Sequence, residues 1–113
     1  MAIGRALLIT AGFSLFSSLP LSAQGLLDLH DKRHEGNKLC LSSHFHDGNS
    51  NGEKSKKAAE LAAIRVWQDF TGWEYGAAWG SFRNAGSKSV KCGATGGSWG
   101  CHVQARPCSL RRR

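Results

Sequence analysis

The sequence predicts an α+β fold in which one amphipathic helix packs on a small three-stranded antiparallel sheet stapled by disulfides. Three observations support this prediction. They are an apolar periodicity typical of a helix over residues 53–71, a glycine-centred hairpin in the second half, and four cysteines in a chain of 113 residues. A domain of this size buries a thin core, so covalent staples contribute much of its stability. We expect one domain over residues 53–108.

The hairpin prediction starts from Gly96 and Gly97, two adjacent glycines between alternating segments. A two-residue primed turn needs positive φ, which glycine adopts without a Cβ clash. Centring the turn on this pair predicts strands over residues 87–95 and 98–106.

The same register predicts the disulfides. It places Cys92 directly opposite Cys101, at a separation that a disulfide can span, and leaves Cys40 to pair with Cys108. An even number of cysteines in a short exported chain is typical of a disulfide framework. A zinc site is the alternative for four cysteines, but the chain has no CxxC pair.

The helix is predicted over residues 53–71, with either Ser50 and Glu53 as a capping box or Ser55 as the cap. Gly72 is the expected stop. Apolar residues recur at steps of four and three and form the stripe that we expect to face the sheet: Ala59, Ala63, Val66, Phe70 and Trp73.

A third strand is predicted over residues 74–83, where large and small residues alternate. Its large side chains, together with those of the helix, are expected to pack between helix and sheet. If Trp73, Tyr75 or Trp79 were exposed instead, sugar stacking would become an alternative role.

The ends of the chain have the composition of targeting and polar segments. Residues 1–23 have a basic start, an apolar centre and a small-residue end, the layout of a secretory signal peptide, so a periplasmic or secreted location is expected. Residues 24–52 are polar and rich in histidine and are expected to form a flexible arm. Residues 109–113 form a basic tail. No later segment could span a membrane after signal cleavage.

Charge is unevenly distributed along the sequence. The formal net charge is +7, and no Asp or Glu follows Glu74. The predicted sheet face that carries Lys91 and Arg106 continues into Arg111, Arg112 and Arg113, which suggests a site for an anionic envelope polymer or an acidic protein. The alternative is that this charge only keeps the domain soluble.

Histidines in the arm suggest a second function. His44 and His46 alternate on an extended segment, so their side chains point the same way and could share a zinc or copper ion. Asp47, His30 or His34 could add ligands. No cofactor is predicted, because the spacing fixes no full ligand set.

Catalysis and nucleic-acid binding are not predicted. An even set of oxidised cysteines leaves no free thiol, and no nucleophile or metal motif occurs in its structural context, so the protein is expected not to be an enzyme. The segment from Ser55 to Ala63 resembles the start of a helix in double-stranded RNA-binding domains. In those domains the helix follows the strands, whereas here it precedes them.

The last 55 residues carry a family resemblance. The tryptophan in an alanine-rich helix, the YGxxW segment from Tyr75 to Trp79 and the cysteine-rich end that closes with Pro107-Cys108 resemble a functionally uncharacterised family of small exported proteins of Gram-negative bacteria. The resemblance implies export and the same fold, and it implies no active site. An accessory or structural subunit of an envelope complex is a further alternative.

Overall fold

The structure is a computed structural model that describes residues 12 and 30–110. The predicted signal peptide and Arg111 to Arg113 lie outside these residues, apart from Gly12. Within residues 30–110 the chain forms one α-helix and two three-stranded antiparallel sheets, which confirms the predicted α+β class but replaces its single sheet with two. None of the helices among the described residues has the length and apolar character to cross a membrane.

The elements follow one another along the chain, with strands on both sides of the helix. They are β1 (Lys32–Glu35), β2 (Lys38–Leu41), β3 (His46–Asn49), α1 (Lys56–Tyr75), two 3₁₀ turns (Ala77–Trp79 and Phe82–Asn84), β4 (Gly86–Thr95), β5 (Ser98–Arg106) and β6 (Cys108–Leu110).

The predicted hairpin and its register are confirmed. Strands β4 and β5 join through Gly96 and Gly97, whose φ angles are 58° and 83°, as the primed turn requires. Cys92 lies opposite Cys101, and the two form a disulfide. Strand β3 pairs with the other edge of β5, so the sheet order is β3-β5-β4.

The second sheet comes largely from the segment that was predicted to be a flexible arm. Strands β1 and β2 form a short hairpin, and β6 pairs with β2 in the order β1-β2-β6. Cys40 and Cys108 are partners in this ladder and form the second predicted disulfide. Residues 30–52 therefore contribute three strands: β1 and β2 pair with each other, while β2 and β3 also pair with β6 and β5 near the end of the chain.

The helix starts and ends later than predicted. Ser55 is its cap and accepts a hydrogen bond from the Ala58 amide, and the helix continues to Tyr75. Residues 74–83 are thus the helix end and two 3₁₀ turns, and the strand predicted there is wrong. Gly72 does not stop the helix. It lets Gly80 approach so closely that a Cβ on Gly80 would lie 2.9 Å from the Gly72 Cα.

The buried line of the helix also differs from the predicted stripe. Steps of four place five residues against the β3-β5-β4 sheet and the 3₁₀ turns: Ala59, Ala63, Trp67, Thr71 and Tyr75. Three of the predicted core residues are exposed instead, with Val66 at 47%, Phe70 at 49% and Trp73 at 78%. Four residues make slightly more than one helical turn, so a line built by steps of four winds slowly around the helix. It therefore lies on a different face from these three side chains.

Trp67 is the centre of the larger core cluster. Its side chain is fully buried between the helix, the sheet and Phe82. Its indole N–H donates to the carbonyl oxygen of His46 at 2.9 Å, which fixes β3 against the helix. A Cβ at Gly48 would collide with the carbonyl oxygen of Ala63, so this glycine is required by close packing and not by a turn.

Candidate functional site

Arg106, predicted to lie on an open cationic face, is buried and paired. Its Nη1 donates to Glu35 Oε1 at 2.6 Å, and its guanidinium lies 5.0 Å from the centre of the Phe45 ring. Glu35 also accepts from Arg33 Nε at 2.8 Å. Phe45 and Glu35 come from the segment predicted to be an arm, so its folding covers an arginine that the sheet alone would have left in solvent.

The hydrogen bond from Arg33 to Glu35 and the two nearby guanidinium charges hold the pKa of that carboxyl below its usual value of 4.5, although burial opposes them. The second Glu35 oxygen lies 3.3 Å from Cys40 Sγ. Within residues 30–110, Glu35, Cys40 and Cys108 are the group whose possible ligand atoms lie within 4.8 Å of one another. The sulfurs of Cys40 and Cys108 are joined in a disulfide, so this group is not a metal site.

The rest of the predicted cationic face is not assembled as one surface. Lys91 is exposed on β4. His102, its neighbour across the ladder, is 2.7 Å from Asp47 Oδ1. Arg111 to Arg113 lie outside the described residues. Of the predicted anion-binding residues that the structure describes, Lys91 is exposed and Arg106 is not.

A cluster of three histidines lies at the C-terminal end of α1; we call it the histidine cluster. His30 precedes β1, His44 lies between β2 and β3, and His46 begins β3. The rings of His44 and His46 are stacked with centres 6.3 Å apart, as their alternate spacing predicts. The ring of His30 lies edge-on to that of His44 at 4.1 Å. Glu74 and Tyr75, from the last turn of α1, complete the cluster.

The hydroxyl of Tyr75 is the hub of the histidine cluster. It lies 3.0 Å from His46 Nε2 and 3.3 Å from His44 Nδ1, so it can donate to one ring nitrogen and accept from the other. His46 is buried, whereas His44 is exposed to solvent. The cluster thus runs from the core to the surface.

Glu74 adds a carboxylate to the histidine cluster. Its Oε2 lies 3.4 Å from His46 Nε2, close enough for attraction. That oxygen is buried and yet accepts no hydrogen bond from the part of the chain that the structure describes. A buried carboxylate oxygen without a donor is uncommon in folded proteins and calls for an explanation.

Burial shifts the pKa of two groups in the cluster, His46 and Tyr75. It lowers the pKa of His46, and the neighbouring His44 and His30 act in the same direction, while Glu74 and Asp47 oppose them. His46 is therefore neutral at neutral pH, the form in which imidazole binds metals. Burial, with the charge of Glu74, raises the pKa of Tyr75 to about 12.

The structure assembles only part of the predicted ligand set. His44, His46 and His30 come together. His34 lies on β1, exposed, and Asp47 faces the opposite side of β3 to pair with His102. Glu74 and Tyr75 were missed, because their segment was assigned to a strand. Their helical positions would have placed them one turn beyond Phe70 and Thr71, with Tyr75 on the buried line and Glu74 beside it.

Comparison of the chain with protein-family models, with curated proteins and with solved structures gives no match. The family resemblance drawn from the sequence therefore stays a prediction.

Proposed function

We propose that this chain is a small exported, non-enzymatic protein that binds a divalent transition-metal ion, zinc or copper, at the histidine cluster. The observation that supports the proposal is the gathering of three imidazoles and a carboxylate at the helix end. His44 and His46 bond the Tyr75 hydroxyl, the His30 ring lies against that of His44, and Glu74 lies 3.4 Å from His46. This proposal takes up the metal-binding alternative that the sequence offered.

The donor chemistry fits such an ion. Imidazole nitrogen and carboxylate oxygen are ligands of zinc and copper, and four of them make the tetrahedral set that zinc prefers. His30, His44, His46 and Glu74 supply that number. Their donor atoms are further apart than a bound ion requires, so binding must draw them inward. His44 is exposed and can turn at little cost.

Tyr75 has a supporting role in the proposal. Its hydroxyl lies between the nitrogens of His44 and His46 and holds both rings near one point. Because the raised pKa keeps this phenol protonated at neutral pH, the hydroxyl orients the rings and is not itself an anionic ligand.

A purely structural cluster is the competing explanation. Hydrogen bonds from Tyr75 would then tie the His44 to His46 segment to the helix and nothing more. Two features favour a ligand. The Tyr75 hydroxyl already has His46 as a partner, so the exposed His44 is not required to satisfy it, and the buried oxygen of Glu74 lacks a donor among residues 30–110. A cation beside that oxygen would supply the missing partner.

The compartment agrees with this function. The two disulfides fit a non-cytoplasmic protein, where they persist without a reducing pool. A periplasmic or secreted location is part of the proposal. In such a compartment a metal site built from imidazole and carboxylate does not depend on keeping thiols reduced.

Isothermal titration with zinc chloride, and separately with copper chloride, tests the proposal. The protein is the processed chain with both disulfides intact and without a histidine tag. We expect saturation at one ion per chain for at least one metal, and affinity about tenfold or more weaker for His44→Ala. His34→Ala is the matched control, since it removes an exposed histidine outside the cluster. Absence of saturable heat, or equal losses in both variants, would refute the site.

A further inference from the structure

Strand β4 leaves one long edge of its sheet without a partner strand. The sheet order is β3-β5-β4, and β4 spans ten residues from Gly86 to Thr95. Within residues 30–110 no strand pairs with its outer side. A free edge of this kind presents unpaired backbone N–H and C=O groups and is a template for another strand.

The hairpin register shows which backbone groups face outward. Thr95 and Ser98 flank the two-residue turn and form a hydrogen-bonded pair, and bonded and non-bonded pairs then alternate along the ladder. Cys92 and Cys101 fall in a non-bonded pair, in agreement with their Cα separation of 4.1 Å. The N–H and C=O groups of Val90, Cys92 and Ala94 therefore point away from β5.

Side chains along the same stretch are exposed on both faces. Val90 is 41% exposed, and Ala94 is exposed on the same face because the helix does not cover this part of β4. Lys91 is exposed on the opposite face. The alternation makes this edge apolar on one side and cationic on the other.

The charged residues of β4 itself and of the segment that leads into it are all basic. No Asp or Glu occurs after Glu74, while Arg83, Lys88 and Lys91 are all exposed. The ammonium group of Lys88 already donates to the carbonyl oxygen of Arg83 at 2.9 Å. Lys91 is thus the cation available beside the free backbone groups.

We propose that β4 is a docking edge for an extended acidic segment of a partner protein, which adds as a further strand. Its backbone would bond to Val90, Cys92 and Ala94. Its alternate side chains would be apolar over Val90 and Ala94 and acidic beside Lys91. The bulge between Gly86 and Ser89 limits the added strand to the stretch from Ser89 to Thr95.

This interaction is independent of the metal site and gives the predicted acidic partner a location on the molecule. An anionic polysaccharide would be attracted by the same lysine but has no peptide backbone to pair with the free edge. The proposal therefore favours a protein segment, and the polysaccharide becomes an outcome that the test can detect.

A labelled eight-residue peptide of alternating glutamate and valine, with blocked ends, is the probe. Fluorescence anisotropy at low salt measures its affinity for the full processed protein. We expect saturable binding that weakens by about tenfold in Lys91→Glu, because a like charge then faces the glutamates. Lys57→Glu is the matched control, since it makes the same change of net charge on the helix and should leave the affinity within about twofold of the wild-type value.

Two further comparisons separate strand addition from charge attraction. A peptide of the same sequence with N-methyl groups on alternate residues cannot complete the ladder and should bind at least about tenfold more weakly. Amide hydrogen exchange at Val90, Cys92 and Ala94 should slow on addition of the unmodified peptide. Equal binding of both peptides, equal losses in the two lysine variants, or unchanged exchange would overturn the proposal in favour of unspecific anion binding.

Discussion

Two polar clusters fasten the N-terminal strands to the rest of the fold, and they differ in the partners that their carboxylates have. In the first, Glu35 lies between Arg33 and Arg106, and opposite charges approach within 2.6 Å. In the second, His46 and His44 both hydrogen-bond to the Tyr75 hydroxyl, and a buried oxygen of the Glu74 carboxylate has no donor among residues 30–110.

Both clusters contain a buried polar atom without a hydrogen-bond partner among residues 30–110, Arg106 Nε in the first and Glu74 Oε2 in the second. The clusters therefore differ in their carboxylates, and this difference separates a structural role from a binding role. The first cluster uses its carboxylate within the fold, since Glu35 accepts from two guanidinium groups. The second retains unused ligand capacity beside an exposed histidine. We therefore expect changes in the first cluster to act on stability, and changes in the second to act mainly on ligand binding.

The largest effect expected of a single substitution is a loss of stability when Arg106 is removed from the first cluster. Arg106→Ala removes a buried guanidinium that neutralises Glu35 and packs on Phe45, and it should destabilise the fold by about 2 kcal/mol. Lys91→Ala, on the same strand pair but exposed, should change the free energy of unfolding by less than about 0.5 kcal/mol. Urea denaturation measures both. Equal effects would mean that Arg106 is no more structural than a surface lysine.

The pH dependence of stability should follow the same cluster. Because the pKa of Glu35 is lower in the folded state than its usual 4.5, its contribution is complete above that value. The contribution is lost as the pH falls through the folded-state pKa, since the protonated carboxyl no longer attracts the two arginines. The Tm of thermal unfolding should therefore fall less steeply between pH 7 and pH 3 in Glu35→Gln than in the wild type. Parallel pH profiles would contradict this account.

A smaller, spectroscopic effect tests the histidine cluster. Tyr75 is the one tyrosine in the sequence, so phenolate absorbance at 295 nm reports on it alone. As the pH is raised, the absorbance should increase with an apparent pKa of about 12 in the folded protein and of about 10 after denaturation. A folded-state value near that of free tyrosine would mean that the hydroxyl is in solvent and is not the hub of the cluster.

The parts of the fold that the sequence predicts correctly depend on local chemistry. The turn at Gly96 and Gly97 fixes the register of β4 and β5, and with it the position of Cys92 opposite Cys101. Once this pair is assigned, Cys40 and Cys108 follow. The pairing of His44 and His46 is local in the same sense, because it depends on the alternation of an extended segment.

The parts that were missed depend on distant partners. Gly48 belongs to the segment predicted to be a flexible arm, but it lies in β3, where the helix backbone packs directly against it. Gly72 suggested a helix end, although its role is to admit Gly80. Strands of four residues carry too little periodicity to be recognised when their partners are more than 50 residues away, as for β3 and β5.

The candidate sites also depend on partners that are distant in the sequence. Arg106 alternates with core residues and was therefore assigned to the solvent face. Its burial depends on Glu35 and Phe45, which arrive from a segment without a clear pattern. Glu74 and Tyr75 could not be joined to the histidines while their segment was assigned to a strand.

Thermal unfolding with and without zinc decides whether the histidine cluster is a metal site. At an ion concentration about 100 times the dissociation constant, one site should stabilise the wild type by about 2.7 kcal/mol. His34→Ala should retain the rise in Tm, and His44→Ala should lose most of it while unfolding like the wild type without metal. A Tm that zinc leaves unchanged, or a rise that His44→Ala keeps in full, would contradict the claim.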